Sequence, residues 1–386
     1  MTRRKPLLPA AALLALLARP AVAEPLFVLE DVRGDDSGAG DLIYPDRDDM
    51  ERGDLDLVRV SAEQHSDGIW FTVEMAQPVR SPVGRVTELG QTPIERIARN
   101  GFYTFNVDIY IDTDRIAGLG STATVPGRGV TVDRGFAWEK AIVLTPRPDI
   151  ARTMLQMYFD DEYEAQLLAQ KGRVSKQDQQ EVENRTEKLV AEQYYFPNKV
   201  RVSGRTVEFL VPTEFLGAVP TTSWGYTVVV TGCDIEQSGR PGQISPTRPT
   251  MLTMSVARGL RYSQWGIRGD TDAATPPVVD ILAPDPDVQA DALSNYDMVA
   301  GRLANVPGVA PDGKAAVAAT GHPLTMEQAA RVDTAADSAT AGEVPTSTTD
   351  KRTVPARLRT LNQLLEEGLI TQGEYDDLRR KILADL

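Results

Sequence analysis

Between Leu26 and about Tyr262 the apolar positions recur every second residue, in short runs broken by Gly, Pro, Asp or Ser. The runs are "DLDLVRVSAE", "GIWFTVEMA", "FNVDIYIDTD", "KAIVLTP", "NKVRVSGRTVEFLVP" and "SWGYTVVVTG". A period of two sends alternate side chains to opposite faces of a strand. Many short strands without regular helices between them predict a mainly β chain folded as an antiparallel β-sandwich. Ser203-Gly204 falls between two runs and predicts a hairpin turn.

One segment departs from this period. From Asp149 to about Gln193, "IARTMLQMYFDDEYEAQLLAQKG" carries apolar residues near helical spacing and stops at Gly172. The following "SKQDQQEVENRTEKLVAEQ" opens with Ser175 and Asp178 at capping-box spacing. The pair predicts a helical hairpin inserted into the sandwich over about 149–195. Its polarity suits a solvated or partner-facing arm as well as a core element. The sandwich domain is thereby placed at 24–296.

Beyond Tyr296 the chain turns rich in Ala, Thr, Pro, Gly and Asp and poor in aromatics. Such a composition cannot bury enough apolar surface to offset ordering, so 297–354 is expected to be a flexible linker, with a short helix possible near Thr325–Val332. Helical spacing returns over 355–386: Leu358, Leu361, Leu364 and Leu365 line one face up to Gly368. Thr371 with Glu374 then opens a second helix carrying Tyr375, Leu378 and Ile382. Each helix is only a few turns long, so the C-terminal two-helix hairpin needs something to pack on.

At the other end, Arg3, Arg4 and Lys5 precede a short apolar run, Leu7 to Leu17, and a small-residue site, Ala21-Val22-Ala23. That pattern predicts a signal peptide over 1–23, cut after Ala23, and an exported protein, periplasmic or extracellular. No later stretch approaches the roughly 20 apolar residues of a spanning helix.

The formal charge is −14, and removing the four positive charges Arg3, Arg4, Lys5 and Arg19 leaves −18. Such a surface repels phosphate backbones, which argues against nucleic acid as a partner, and it attracts divalent cations. The single Cys233 cannot form an internal disulfide and sits in the strand-like "VVVTGCD".

The acids cluster. "EDVRGDDSGAGDLIYP" places Asp31, Asp35, Asp36 and Asp41 around Gly34, Gly38 and Gly40, either a solvated turn or a loop wrapping a hard cation. Calcium takes six to eight oxygens from carboxylates, carbonyls and water. In "DIYIDTD", Asp108, Asp112 and Asp114 share one face of a strand, so that face must be wet, hydrogen-bonded or metal-bound. Asp35, Asp36, Asp112 and Asp114 are the candidate calcium ligands, with turn chemistry as the competing explanation. Asp270 and Asp272 form a third, turn-like pair. Nothing marks two of these acids as a glycosidase pair.

Sugars dock on aromatic rings with polar groups beside them. Trp70 and Trp224 sit in strand patterns and are expected in the core, whereas Tyr44, Trp138 and Trp265 are the candidates for a carbohydrate platform.

Three stretches in order resemble the C-terminal domain of glucodextranase: "GDDSGAGDLIYP" with "GDLDLVRV", "DIYIDTD" with "GFAWEKAIVL", and "PPVVDILAPDPDVQADALSNY". That family is similar in fold to family-nine carbohydrate-binding modules and to DOMON domains. The resemblance implies a β-sandwich, non-catalytic and associated with carbohydrate or cell-surface binding. "LNQLLEEGLITQGEYDDLRRKIL" resembles the SHOCT short C-terminal domain, which implies oligomerisation or docking of a protein partner.

Taken together, the chain is read as a non-enzymatic exported module that recognises a glycan or cell-envelope surface, with calcium bracing its loops. The alternative is a structural envelope scaffold that binds no sugar and makes contact through the helical insertion. A third reading, drawn from DOMON-type domains, is a haem site using Met75, Met251 or Met254.

Overall fold

The computed structural model describes residues 24–87, 91–237, 251–257, 264–268, 275–297 and 300–318. The expected signal peptide, the linker beyond 318, the helix near 325–332, the SHOCT-like hairpin and the Asp270/Asp272 pair lie outside those residues.

Ten strands build two facing sheets. In chain order they are β1 (Phe27–Glu30), β2 (Leu57–His65), β3 (Gly68–Met75), β4 (Phe105–Asp112), β5 (Lys140–Leu144), β6 (Tyr194–Tyr195), β7 (Val200–Ser203), β8 (Thr206–Val211), β9 (Gly225–Gly232) and β10 (Val278–Ile281). The first sheet runs β1-β2-β3-β8-β7 and the second β10-β9-β4-β5-β6. Every neighbouring pair is antiparallel except β5 and β6. The sandwich is as its period-two pattern predicts, and the β7–β8 hairpin turns at Gly204, whose φ of +59° suits a residue without Cβ.

Between the sheets lies a core that includes Leu57, Val60, Phe71, Val73, Val107, Ile109, Phe209, Val228 and Val230. On the first sheet, β2 and β8 alternate buried and half-buried residues, so the outer face meets water. By contrast, β4 and β9 are buried at every position. A second apolar layer covers their outer face, containing Trp138, Ala151, Met154, Leu155, Val190, Met251, Leu293, Ala304 and Val306.

The helical hairpin supplies part of that layer. Helix α1 (Pro148–Lys171) ends at Gly172 with φ +72°, and α2 (Lys176–Gln193) starts on a reciprocal Ser175–Asp178 capping box. Its base packs on the second sheet, while most side chains beyond Phe159 in α1 stay partly or fully exposed. The hairpin also has a topological duty. Parallel neighbours need a crossover connection, and α1–α2 is the link between parallel β5 and β6.

Helix α3 (Pro286–Ser294), capped by the Asp285 side chain, closes one end of the second layer. The domain boundary expected at 296 moves outward. Residues 304–306 pair in parallel with Val130–Val132, Val309 exchanges backbone hydrogen bonds with Tyr226, and Ala304 and Val306 are buried. Pairing overrides composition for this part of the expected linker.

Candidate functional site

The glycine-laced stretch after β1 folds back between the sheets. Gly34 and Gly38 adopt φ of +88° and +61°, which lets the loop reverse twice. Gly38 donates its N–H to the Val279 carbonyl at 2.8 Å, and a Cβ there would lie 3.1 Å from the Val278 carbonyl oxygen. From α3, buried Gln289 donates to the carbonyls of Asp35 (2.5 Å) and Gly38 (3.2 Å) and accepts from Ile281 N–H (2.9 Å). Helix, loop and β10 are thereby clamped together.

This folding gathers acids from distant parts of the chain. Asp35, Asp56 and Asp280 each place a carboxylate oxygen within 4.8 Å of the others. A bulge in β10 leaves Val279 without a register partner, and Asp280 is fully buried with Oδ2 accepting the Leu57 N–H at 2.7 Å across the sandwich. Asp56 Oδ2 accepts from Gly34 N–H at 2.7 Å. Asp31, beside the group, accepts from Ala283 N–H at 2.9 Å. Left over are Asp31 Oδ2, both Asp35 oxygens, Asp56 Oδ1 and Asp280 Oδ1, all buried and without a hydrogen-bond partner. Burial, with mutual repulsion, pushes Asp31 up to about 8 and Asp35 and Asp56 up to about 6, and holds Asp280 far above the usual carboxylate range.

The adjacent residue looks the other way. Asp36 accepts from the Tyr44 hydroxyl and from Gly53 N–H (2.6 Å), with Arg52 3.7 Å away. Burial raises its carboxyl and the Tyr44 phenol. Asp36, Ser37, Leu42, Ile43, Tyr44, Arg52 and Arg268 line a cavity of about 230 Å³, in which both arginines are exposed.

Asp112 and Asp114 are elsewhere. Asp112 pairs with Gly225 on β9 and Asp280 with Val230, a separation of roughly 17 Å along the strand at about 3.4 Å per residue. Asp35/Asp36 and Asp112/Asp114 therefore do not share one ion. Asp112 takes Arg115 N–H (2.6 Å) and its guanidinium (3.2 Å), and Asp114 accepts from Ile116 N–H (2.8 Å). Glu139 stands near both and is pushed up to about 8, first by burial and then by those two carboxylates.

The aromatic candidates also separate. Trp138 and Trp265 are 0 % exposed, so neither ring offers a face to a sugar; Trp138 packs against Tyr110 and Tyr194, and Trp265 lies against Gly232. A loop-like local pattern hid the fact that each loop is roofed by the second core or threaded into the first. Tyr44 alone lines the cavity, with its ring edge on Trp265 at 4.8 Å. Trp224 is core as expected, whereas Trp70 lies on the outer face of the first sheet, buried under Arg201 and Lys199 and donating to Asp67; Met75, Met251 and Met254 fill apolar layers.

Asp56 and Asp280 were missed as site residues. The signal for Asp280 was present: one acid inside the apolar strand "VVDI".

The site is a cleft beside an acid cluster on a β-sandwich. Residues 26–308 match the family described as the C-terminal binding module, SLH-like, of glucodextranase, and the chain belongs to that family. A search of curated proteins finds no match to the chain. Among the described residues no helix is long and apolar enough to cross a membrane.

Proposed function

We propose that the sandwich is a non-catalytic module that recognises carbohydrate, an α-glucan or a glycan of the cell envelope, outside the cytoplasm. Family membership over residues 26–308 carries the reading. The cleft supports it: half-buried Ile43 and the Tyr44 ring offer apolar contact over core Leu42, and the exposed guanidiniums of Arg52 and Arg268 can donate to sugar hydroxyls. Asp36 and Tyr44 hold each other in place, so the ligand meets a preformed wall.

The test is affinity electrophoresis of the full chain through gels containing dextran or isolated cell-wall polysaccharide. Retardation is expected in at least one. Arg268→Ala should weaken it about tenfold, the effect of losing a charged hydrogen bond. Unchanged migration in every polysaccharide would overturn the reading.

A further inference from the structure

We infer that Asp35, Asp56 and Asp280, with Asp31 beside them, form a calcium site buried between the ends of the two sheets. The inference does not depend on sugar binding. Its anchor is Asp280, a fully buried carboxylate with one oxygen held by Leu57 N–H, the other without a partner, and an oxygen within 4.8 Å of oxygens of Asp35 and Asp56. Buried polar atoms without partners are rare, and here three neighbouring acids carry four of them. Among the described residues no lysine or arginine makes an ion pair with any of the four, although the Arg33 charge acts on Asp56; the Arg52–Asp36 pair belongs to the cleft.

The donor set selects the metal. All the free atoms are carboxylate oxygens, and His65 and Cys233 are not among them, so softer transition metals find no nitrogen or sulfur. Four unpartnered oxygens belong to Asp35, Asp56 and Asp280, and calcium, which takes six to eight at roughly 2.3–2.6 Å in irregular geometry, would complete its shell with carbonyls and water. Oxygens within 4.8 Å of one another fit around such an ion. Magnesium demands a tighter octahedron and keeps its waters.

The arrangement also gives the ion a task. It would tie the loop after β1 (Asp35) to the residue before β2 (Asp56) and to the edge strand β10 (Asp280). Asp36, one residue from Asp35, would then be fixed in the cleft wall. The competing occupant is a shared proton among the carboxyls.

Thermal melts of the full chain distinguish the two. In about 5 mM calcium, above the roughly 0.1–1 mM affinities of weak extracellular sites, the midpoint should rise by about 5 °C over chelator. Sodium chloride of equal ionic strength should not reproduce the rise. Asp35→Asn removes no side-chain hydrogen bond and should abolish the calcium shift while folding normally. Asp280→Asn should do the same and melt no lower than the native chain in chelator. Equal native melts with and without calcium would overturn the site, as would a full calcium shift in Asp35→Asn.

Discussion

Two fully buried aspartates flank β9, and the protein treats them in opposite ways. Asp108 on β4 pairs with Val229 and faces the second core, where Arg128 donates to both of its oxygens at 2.6 and 3.1 Å. Arg128 spends its remaining donor on the Met251 carbonyl and the Thr253 hydroxyl, and Tyr110 adds a bond to Asp108 at 3.2 Å. Asp280 on β10 pairs with Val230 and faces the first sheet, where it meets Asp35 and Asp56 rather than a cation. A buried acid whose counter-charge is covalently part of the chain is structural. One whose charged neighbours are other acids has no such counter-charge in the chain, and the inferred calcium ion would supply it.

The comparison breaks most visibly at Arg128. Arg128→Met should cost about 3–5 kcal/mol in denaturant unfolding, since it strands the Asp108 charge. Asp280→Asn in chelator should show no such loss, because it relieves repulsion.

Glu139 sharpens the contrast through pH. Its folded value lies near 8 against an ordinary 4.5, so the folded chain holds a proton that the unfolded chain has released. That contribution to stability is complete below about pH 4.5 and is lost as pH rises toward 8. Glu139→Gln should make this part of the stability–pH profile shallower, with Asp31 and Asp280 still contributing to it, measured by urea midpoints across the range. The wild-type slope persisting in the variant would refute the assignment.

Gly38 tests whether the acid loop requires its backbone shape. Gly38→Ala should destabilise by roughly 1–2 kcal/mol, the penalty for a side chain at positive φ, with more lost if Val278 cannot give way. The smallest effect belongs to the outer face of the first sheet. There Arg59 bridges Glu30 (2.9 Å) and Glu74 (3.3 Å) in solvent, and Arg59→Ala should cost below about 1 kcal/mol and less in high salt.

Why some of this was legible in advance follows from range. The alternation of "GRTVEFLV" and the capping box at Ser175 are local signals, and local signals specify local elements. The acidic stretch at 31–41 also announced itself, because glycine and carboxylate together have few uses in a core. What failed were inferences about who covers whom. Asp112 and Asp114 lie near one end of β9 and Asp35 near the other, a separation set by register and not by spacing. Trp138 and Trp265 look loop-borne until the second layer closes over the sheet. The partners of Asp35 come from 21 and 245 residues further along, at Asp56 and Asp280, and no periodicity reports a meeting of that kind.

Calcium titrated into the chelator-stripped full chain, followed by equilibrium dialysis, addresses the contrast between the two aspartates most directly. The account predicts one calcium held per native chain and none by Asp35→Asn, while Arg128 variants that stay folded still bind. A native chain that retains no calcium at millimolar free ion, or an Asp35→Asn chain that retains as much as the native one, would contradict it.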